Sequence, residues 1–144
     1  MPTMLNRSAE ITVGLPPDQA IALFTAEGER RWADGWDPRY PEPERRDGPG
    51  VVFHTTHGSH QTTWIMVDDR PDGVRYARIT HGMTAGTVAV DVVTSDNDTT
   101  RVRVTYDLTA LTPTGEAWLA DLDAHYGSKI ASWATHIATA LTVS

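Results

Sequence analysis

Six histidines are the first residues of this sequence whose chemistry stands out. His54, His57 and His60 are spaced by three, which at first sight resembles a metal-binding tract. If the segment is a β-strand, alternation turns His54 to the opposite face from His57. His57 and His60 can then form a cross-strand pair, but two ligands are too few for a closed metal site, and a third would have to come from His81 or a carboxylate. We expect histidines at a surface hairpin and no metal.

Tyrosines and the single lysine are the other groups that could move protons. Tyr76, Tyr106 and Tyr126 could each donate a hydrogen bond inside a cavity, where a phenol can polarise a carbonyl or protonate an enolate. A buried tyrosine more often bonds to a backbone partner. Lys129 lies at the edge of a helical apolar stripe, where its head can reach a ligand or turn to water. Inside a cavity it could pair with an acidic ligand, or act as a base if its pKa fell.

Glu29 and Arg30 lie beside Trp32 in a short helical segment. We expect them to form a local ion pair that fixes this segment, and the alternative is a gate over a cavity mouth with Trp36 as its plug. The sequence has no glycine-rich phosphate loop, no nucleophile-elbow pattern and no paired metal-ligand helix motif. We therefore expect no cofactor, and whether any reaction is catalysed stays open.

A long C-terminal helix must position several of these groups. No proline interrupts residues 114–141, and Thr114 is a plausible cap for the helix. Apolar residues recur at helical spacing along it: Trp118, Leu119, Leu122, Tyr126, Ile130, Trp133, Ile137 and Leu141. Such a stripe predicts that the helix packs against a sheet formed earlier in the chain.

The first fifty residues predict a strand, two short helices and a loop. Residues 7–13 alternate polar and apolar, which indicates a half-buried strand. Pro16 and Pro17 then end the strand and open a helix that reaches about Thr25. A second short helix is predicted over 27–32. Residues 33–50 are rich in proline and glycine and form a long loop, and such loops are often functional.

Five strand-like runs follow, beginning with a hairpin at residues 57–60. Gly58 suits the first position of a two-residue turn. That register pairs His57 with His60, Thr55 with Thr62, Phe53 with Trp64 and Val51 with Met66, which puts all eight on one face. This face is the more aromatic, so we assign it to the interior. Further strands are predicted near 74–81, 86–94 and 100–111, and the alternation of the last two is typical of an antiparallel sheet with one solvated side.

The predicted fold is α+β with β-α-α-β5-α order, in which a curved antiparallel sheet wraps around the long C-terminal helix. Gaps between a sheet and a helix, walled by apolar and aromatic groups, are where small molecules bind. The predicted wall comprises Trp36, Phe53, Trp64, Met66, Val90, Tyr106, Tyr126, Ile130 and Trp133. His57, His60, Tyr76 and Lys129 are the candidate polar groups.

Composition restricts the function classes. A chain of 144 residues suits one domain, and we treat 1–144 as such. The absence of cysteine removes disulfides, thiolate metal sites and a cysteine nucleophile. A net charge of −7 argues against nucleic acid and anionic membranes as partners. No apolar run approaches the ~18 residues of a membrane span, and no signal-peptide pattern is seen, so we expect a cytoplasmic protein. A homodimer is compatible with these features.

Two segments resemble a known superfamily. Residues 22–38 read ALFTAEGERRWADGWDP, and residues 78–82 and 86–88 read RITHG and GTV. Together with the order of elements, they resemble a bacterial subgroup, without an assigned reaction, of the START-like or Bet v 1-like superfamily, also called SRPBCC or helix-grip. The resemblance covers nearly the whole chain and implies a hydrophobic cavity. It transfers no catalytic residue.

Two functions follow as hypotheses, because the superfamily includes carriers and receptors as well as polyketide aromatases and cyclases, and a shared fold does not select among them. The first is a binding protein for a small hydrophobic or aromatic ligand. The alternative is a cyclase- or aromatase-like enzyme whose cavity tyrosines or histidines act as acid and base. A third reading, a partner-binding protein of the stress-regulator type, would require a large exposed apolar patch, of which the sequence gives no sign.

Overall fold

A computed structural model describes residues 3–142 and contains six strands, two α-helices and a short 3-10 helix in the order predicted above. The 3-10 helix covers Gly28–Arg31. The remaining elements are β1 (Met4–Val13), α1 (Pro17–Ala22), β2 (Val52–His57), β3 (His60–Arg70), β4 (Gly73–Thr80), β5 (Thr84–Ser95), β6 (Thr100–Ala110) and α2 (Pro113–Thr142).

One antiparallel sheet in the order β1-β6-β5-β4-β3-β2 forms the body of the fold. Strands β2 to β6 are a simple meander, and β1 pairs with β6 along its whole length. Two register shifts, between Met66 and Asp68 and between Val92 and Thr94, are bulges that bend β3 and β5. The sheet is curved and holds α2 on its inner face, so the predicted α+β helix-grip architecture is confirmed.

The first hairpin has the predicted register. His57 pairs with His60 and Phe53 with Trp64, while Gly58 takes a φ of +62° in the turn. Val51 precedes β2, and its carbonyl accepts the Met66 N–H at 3.0 Å, which continues the pairing. The face assigned to the interior is the buried one over its central part, whereas both histidines at the tip are exposed.

The C-terminal helix begins one residue before the prediction and is capped by a different threonine. Thr114 is not the cap; the Thr112 hydroxyl accepts the Gly115 N–H at 3.1 Å and donates to the Gly82 carbonyl. Gly115 lies so close to the Met83 carbonyl that a Cβ there would overlap it. The turn between β4 and β5 thus fixes the start of α2.

The helix α2 packs mainly on β1 and β6, so other segments cover the rest of the inner face of the sheet. Part of that cover is α1, which contacts β5. The loop after the 3-10 helix is anchored to β2 by paired hydrogen bonds between Arg39 and His54. The helix α1 is shorter than predicted and ends at Ala22 rather than near Thr25. No helix within residues 3–142 is long and apolar enough to cross a membrane.

Candidate functional site

A cavity of about 470 Å³ lies between the inner face of the sheet, α2 and the segment 29–36. All five tryptophans of the chain line it. Exposed lining residues at Asp34, Gly35, His57 and His60 mark the side on which it reaches solvent. Its full lining is Glu29, Trp32, Ala33, Asp34, Gly35, Trp36, Thr55, Thr56, His57, His60, Thr62, Trp64, Arg78, Thr80, Met83, Thr84, Tyr106, Trp118, Lys129 and Trp133.

Three of the five tryptophans have their indole N–H groups bonded to the protein. The indole N–H groups of Trp32 and Trp36 donate to the carbonyls of Leu23 and Ala26, each at 2.8 Å. The Trp64 N–H donates to a threonine hydroxyl at 2.9 Å. These bonds hold the rings in place, and the rings also contact one another, with 5.8 Å between the centres of Trp36 and Trp64. The three rings therefore offer the cavity apolar surfaces.

Arg78 is a charged group on the sheet side of the cavity. It lies on β4 opposite Trp64 on β3, and alternation places it on the inner face with Tyr76. Its guanidinium carbon is 5.4 Å from the Trp64 ring centre and 5.0 Å from that of Trp118. Nε has no hydrogen-bond partner among residues 3–142, and the one side-chain hydrogen bond of the guanidinium within that range, to the Thr84 hydroxyl, is long at 3.4 Å. Burial lowers the pKa of Arg78.

Lys129 and Tyr106 meet on the helix side of the cavity. The Lys129 ammonium is 5.7 Å from the Tyr106 ring centre. The lysine as a whole residue is exposed, but its ammonium is desolvated at the cavity, and this together with the Arg78 charge lowers the pKa of Lys129. Burial raises the pKa of Tyr106 to about 12, although Arg78 acts in the opposite direction.

Tyr106 is the tyrosine whose hydroxyl is free of protein partners within residues 3–142. The other two candidates are not available as cavity donors: the Tyr76 hydroxyl donates to the Phe24 carbonyl at 3.0 Å and the Tyr126 hydroxyl donates to the Val104 carbonyl at 2.7 Å. Both are bonds to backbone carbonyls, as is usual for buried tyrosines, and they leave Tyr106 as the candidate donor among the three.

Glu29 lines the cavity and forms no ion pair with Arg30. The predicted ion pair between them is wrong, because Arg30 Nε donates to Glu27 at 3.0 Å and its guanidinium approaches Asp37 at 3.6 Å. Burial raises the pKa of Glu29 well above its usual range. A protonated carboxyl is favoured there, and in that form Glu29 is a hydrogen-bond donor.

The structure divides the predicted ligand wall among three places. Seven of the named residues line the cavity: Trp36, His57, His60, Trp64, Tyr106, Lys129 and Trp133. Three line a second recess beside α1: Phe53, Met66 and Tyr76. The last three, Val90, Tyr126 and Ile130, are buried in the packed core and line neither space.

The second recess is larger, about 550 Å³, and its lining includes none of the tryptophans. Two of its charged lining residues have protein partners: Arg70 forms ion pairs with Asp68, Asp72 and Asp91, and Glu27 accepts hydrogen bonds from Arg30 and Tyr40. The smaller cavity is lined by all five tryptophans together with Arg78, whose Nε has no partner among residues 3–142. We therefore take the smaller space as the candidate site.

Arg78, Trp118 and Glu29 are three of the cavity residues that were not predicted to belong to the ligand wall. The alternation of Val74, Tyr76 and Arg78 along β4 was a usable signal, since it places all three on the inner face. Trp118 belonged to the predicted helical stripe. No spacing in the sequence indicated that Glu29 would turn inward.

Comparison with solved structures identifies the fold. Norcoclaurine synthase from Thalictrum flavum matches with a TM-score of 0.67 at 11% identity, over 96% of this chain and 87% of that one. Protein Mll3558 from Rhizobium loti matches at 0.63 and 19% identity, over 92% and 96%. The Zhui aromatase/cyclase from Streptomyces sp. R1128 matches at 0.62 and 16% identity, over 95% and 93%. No family model and no curated protein sequence matches the chain.

Fold and site together define an α+β protein in which a sheet and a helix enclose a tryptophan-walled cavity. The fold is the Bet v 1-like, or START-like, helix-grip fold, as the sequence resemblance predicted. At these identities the comparisons concern the fold, and the activities of the three proteins remain their own.

Proposed function

We propose that this protein binds a small hydrophobic or aromatic molecule in the cavity between the sheet and α2. The observation that carries the proposal is that all five tryptophans line one space of about 470 Å³. Sites for drug-sized ligands span roughly 300–1,000 Å³ and combine apolar walls with a few polar groups. Arg78, Lys129, Tyr106 and Glu29 are such groups here.

The type of ligand is supported by the walls. Indole rings whose N–H groups are already bonded offer a ligand their faces and edges rather than a hydrogen-bond donor. Such surfaces favour planar aromatic ligands. Norcoclaurine synthase, which has the same fold, was solved with dopamine and hydroxybenzaldehyde. That complex is a precedent for aromatic ligands in the fold.

The test is native mass spectrometry of freshly purified protein, followed by titration with aromatic compounds while tryptophan fluorescence is monitored. Binding should change the emission because every tryptophan borders the site. Ala33→Phe fills part of the cavity and should weaken binding at least tenfold. Ala124→Phe, on an exposed position of α2, is the matched control. No bound mass and no titratable change across a broad aromatic panel would refute the proposal.

A second candidate function is a cyclase- or aromatase-like enzyme. It is supported by Glu29, Tyr106 and Lys129, three titratable groups on one cavity whose pKa values are displaced by burial. A neutral carboxyl could donate a proton to a carbonyl oxygen while the amine accepts one from carbon. Incubation with a poly-β-carbonyl thioester, followed by mass spectrometry for loss of water, tests it. Equal product with the wild type and Glu29→Gln would exclude the role of this carboxyl.

A further inference from the structure

We infer that the ligand is an aromatic carboxylic acid, and that Arg78 and Lys129 hold its carboxylate while the tryptophans enclose its ring. The inference rests on the proposed function and adds the chemical class of the ligand. It starts from two cations in one cavity that lack an anionic partner within residues 3–142.

Arg78 differs from every other arginine of the chain. The other ten are exposed, and six of them pair with carboxylates. Arg78 is the one that is not exposed, and no carboxylate of residues 3–142 lies within ion-pair distance of it. A buried charge without a partner is costly. The chain has nineteen acidic residues, so a shortage of carboxylates does not explain why none pairs with Arg78.

The two tryptophan contacts lower this cost without using the donors of the guanidinium. Cation–π attraction to Trp64 and Trp118 acts on its charge, while Nε stays unbonded and the contact with the Thr84 hydroxyl is beyond usual hydrogen-bond length. An arginine fork matches the two oxygens of a carboxylate, which could accept two parallel N–H bonds. The aromatic contacts hold the fork in place before a ligand arrives.

Lys129 supplies a second positive group, and Tyr106 supplies a neutral donor next to it. Burial and, after it, the Arg78 charge lower the pKa of Lys129, because two positive charges in one cavity repel each other. An anion between them would remove that repulsion. The Tyr106 hydroxyl could then donate to the same anion.

The acidic residues of the cavity do not fill this role. Glu29 forms no ion pair with either cation, and burial favours its protonated form. Asp34 lines the cavity but is exposed at its mouth. A carboxylate between the two cations would reduce the net positive charge of the site, and the indole surfaces around it suit an aromatic ring.

The experiment compares 2-naphthoic acid with its neutral isostere 2-naphthamide by isothermal titration calorimetry. Because hydrogen bonds to charged groups are the stronger ones, the acid should bind roughly tenfold or more tightly than the amide. Arg78→Gln should abolish this preference while amide binding persists. Arg75→Gln, an exposed arginine three residues earlier on the opposite face of β4, should leave the preference intact.

Two further variants guard against misfolding. Arg78→Lys keeps a charge but loses the fork, and Lys129→Gln removes the second cation from an exposed helix position. Each should reduce the preference for the acid, with thermal unfolding near that of the wild type. Equal binding of acid and amide to the wild type would overturn the inference and leave the proposed function standing. Failure of both compounds and of a wider neutral aromatic panel would overturn the proposed function as well.

Discussion

Two neighbouring tyrosines allow a direct test of which residues fill the core and which face the cavity. Tyr106 and Tyr126 lie with ring centres 5.6 Å apart in an edge-to-face contact, and both are buried. The Tyr126 hydroxyl donates to the Val104 carbonyl at 2.7 Å, whereas that of Tyr106 has no partner among residues 3–142. Replacing either with phenylalanine keeps the ring and removes one hydroxyl. The two variants should therefore differ only through what each hydroxyl contacts.

The expected magnitudes follow from the hydrogen bonds. Tyr126→Phe loses a buried bond and leaves a carbonyl with one partner fewer, so the free energy of unfolding should fall by about 1 kcal/mol. A loss of that size lowers the melting temperature of a domain this long by roughly 2–4 °C. Tyr106→Phe loses no protein hydrogen bond, so its effect should stay within about 0.5 kcal/mol. It should instead weaken binding of 2-naphthoic acid, which Tyr126→Phe should leave unchanged.

Urea denaturation followed by circular dichroism measures the first pair of values, and calorimetric titration measures the second. The wild type provides the reference for the m-value, which should not change if both variants unfold in the same two-state transition. Equal destabilisation by the two substitutions would refute the reasoning, because it would mean that the Tyr106 hydroxyl is bonded within the protein.

Three further predictions concern the elements around the cavity. Thr112→Ala removes the cap of α2 and should cost about 1 kcal/mol in chemical denaturation, whereas Thr114→Ala should be nearly neutral; the reverse order would contradict the cap assignment. Burial raises the pKa of Glu29, so its contribution to stability is full at low pH and falls as the pH rises through the folded-state pKa. Glu29→Gln should therefore stabilise the protein at pH 7. This gain in stability should disappear below about pH 4. A gain that is independent of pH would exclude this explanation. Gly86→Ala brings a methyl group onto the Asp107 carbonyl and should lower the unfolding free energy by about 1–3 kcal/mol in urea; a neutral effect would show that β5 and β6 can separate there.

Most of the fold could be predicted from two periodicities. Alternation over the first hairpin gave the pairing of Phe53 with Trp64, because a two-residue turn leaves few registers that bury one face. The helical stripe gave α2 and its inward residues, including Tyr126 and Ile130. Element ends were less well predicted, since Thr112 and Thr114 are both reasonable caps and the choice depends on a contact with the distant Gly82 carbonyl.

The candidate site was predicted less well than the fold. Trp133 and Tyr126 share the same inward spacing on α2, yet Trp133 lines the cavity and Tyr126 fills the core. Glu29 was expected to pair with Arg30, but that arginine pairs with Glu27, three residues before it, and approaches Asp37. Contacts between distant segments decided the first outcome, whereas the i,i+3 spacing of Glu27 and Arg30 was a local signal for the second.

The order of elements and the faces of the strands and of α2 follow from the sequence alone, and they set which of these side chains point inward. Which inward side chains meet one another, and which line the cavity, depends on how the elements pack together. The reason is that the periodicity of a strand or helix sets the direction in which each side chain points, whereas a cavity depends on where α2 lies across the curved sheet. Arg78 illustrates both: alternation places it on the inner face, but only the assembled fold sets it against Trp64 and Trp118 without an anionic partner in the described chain.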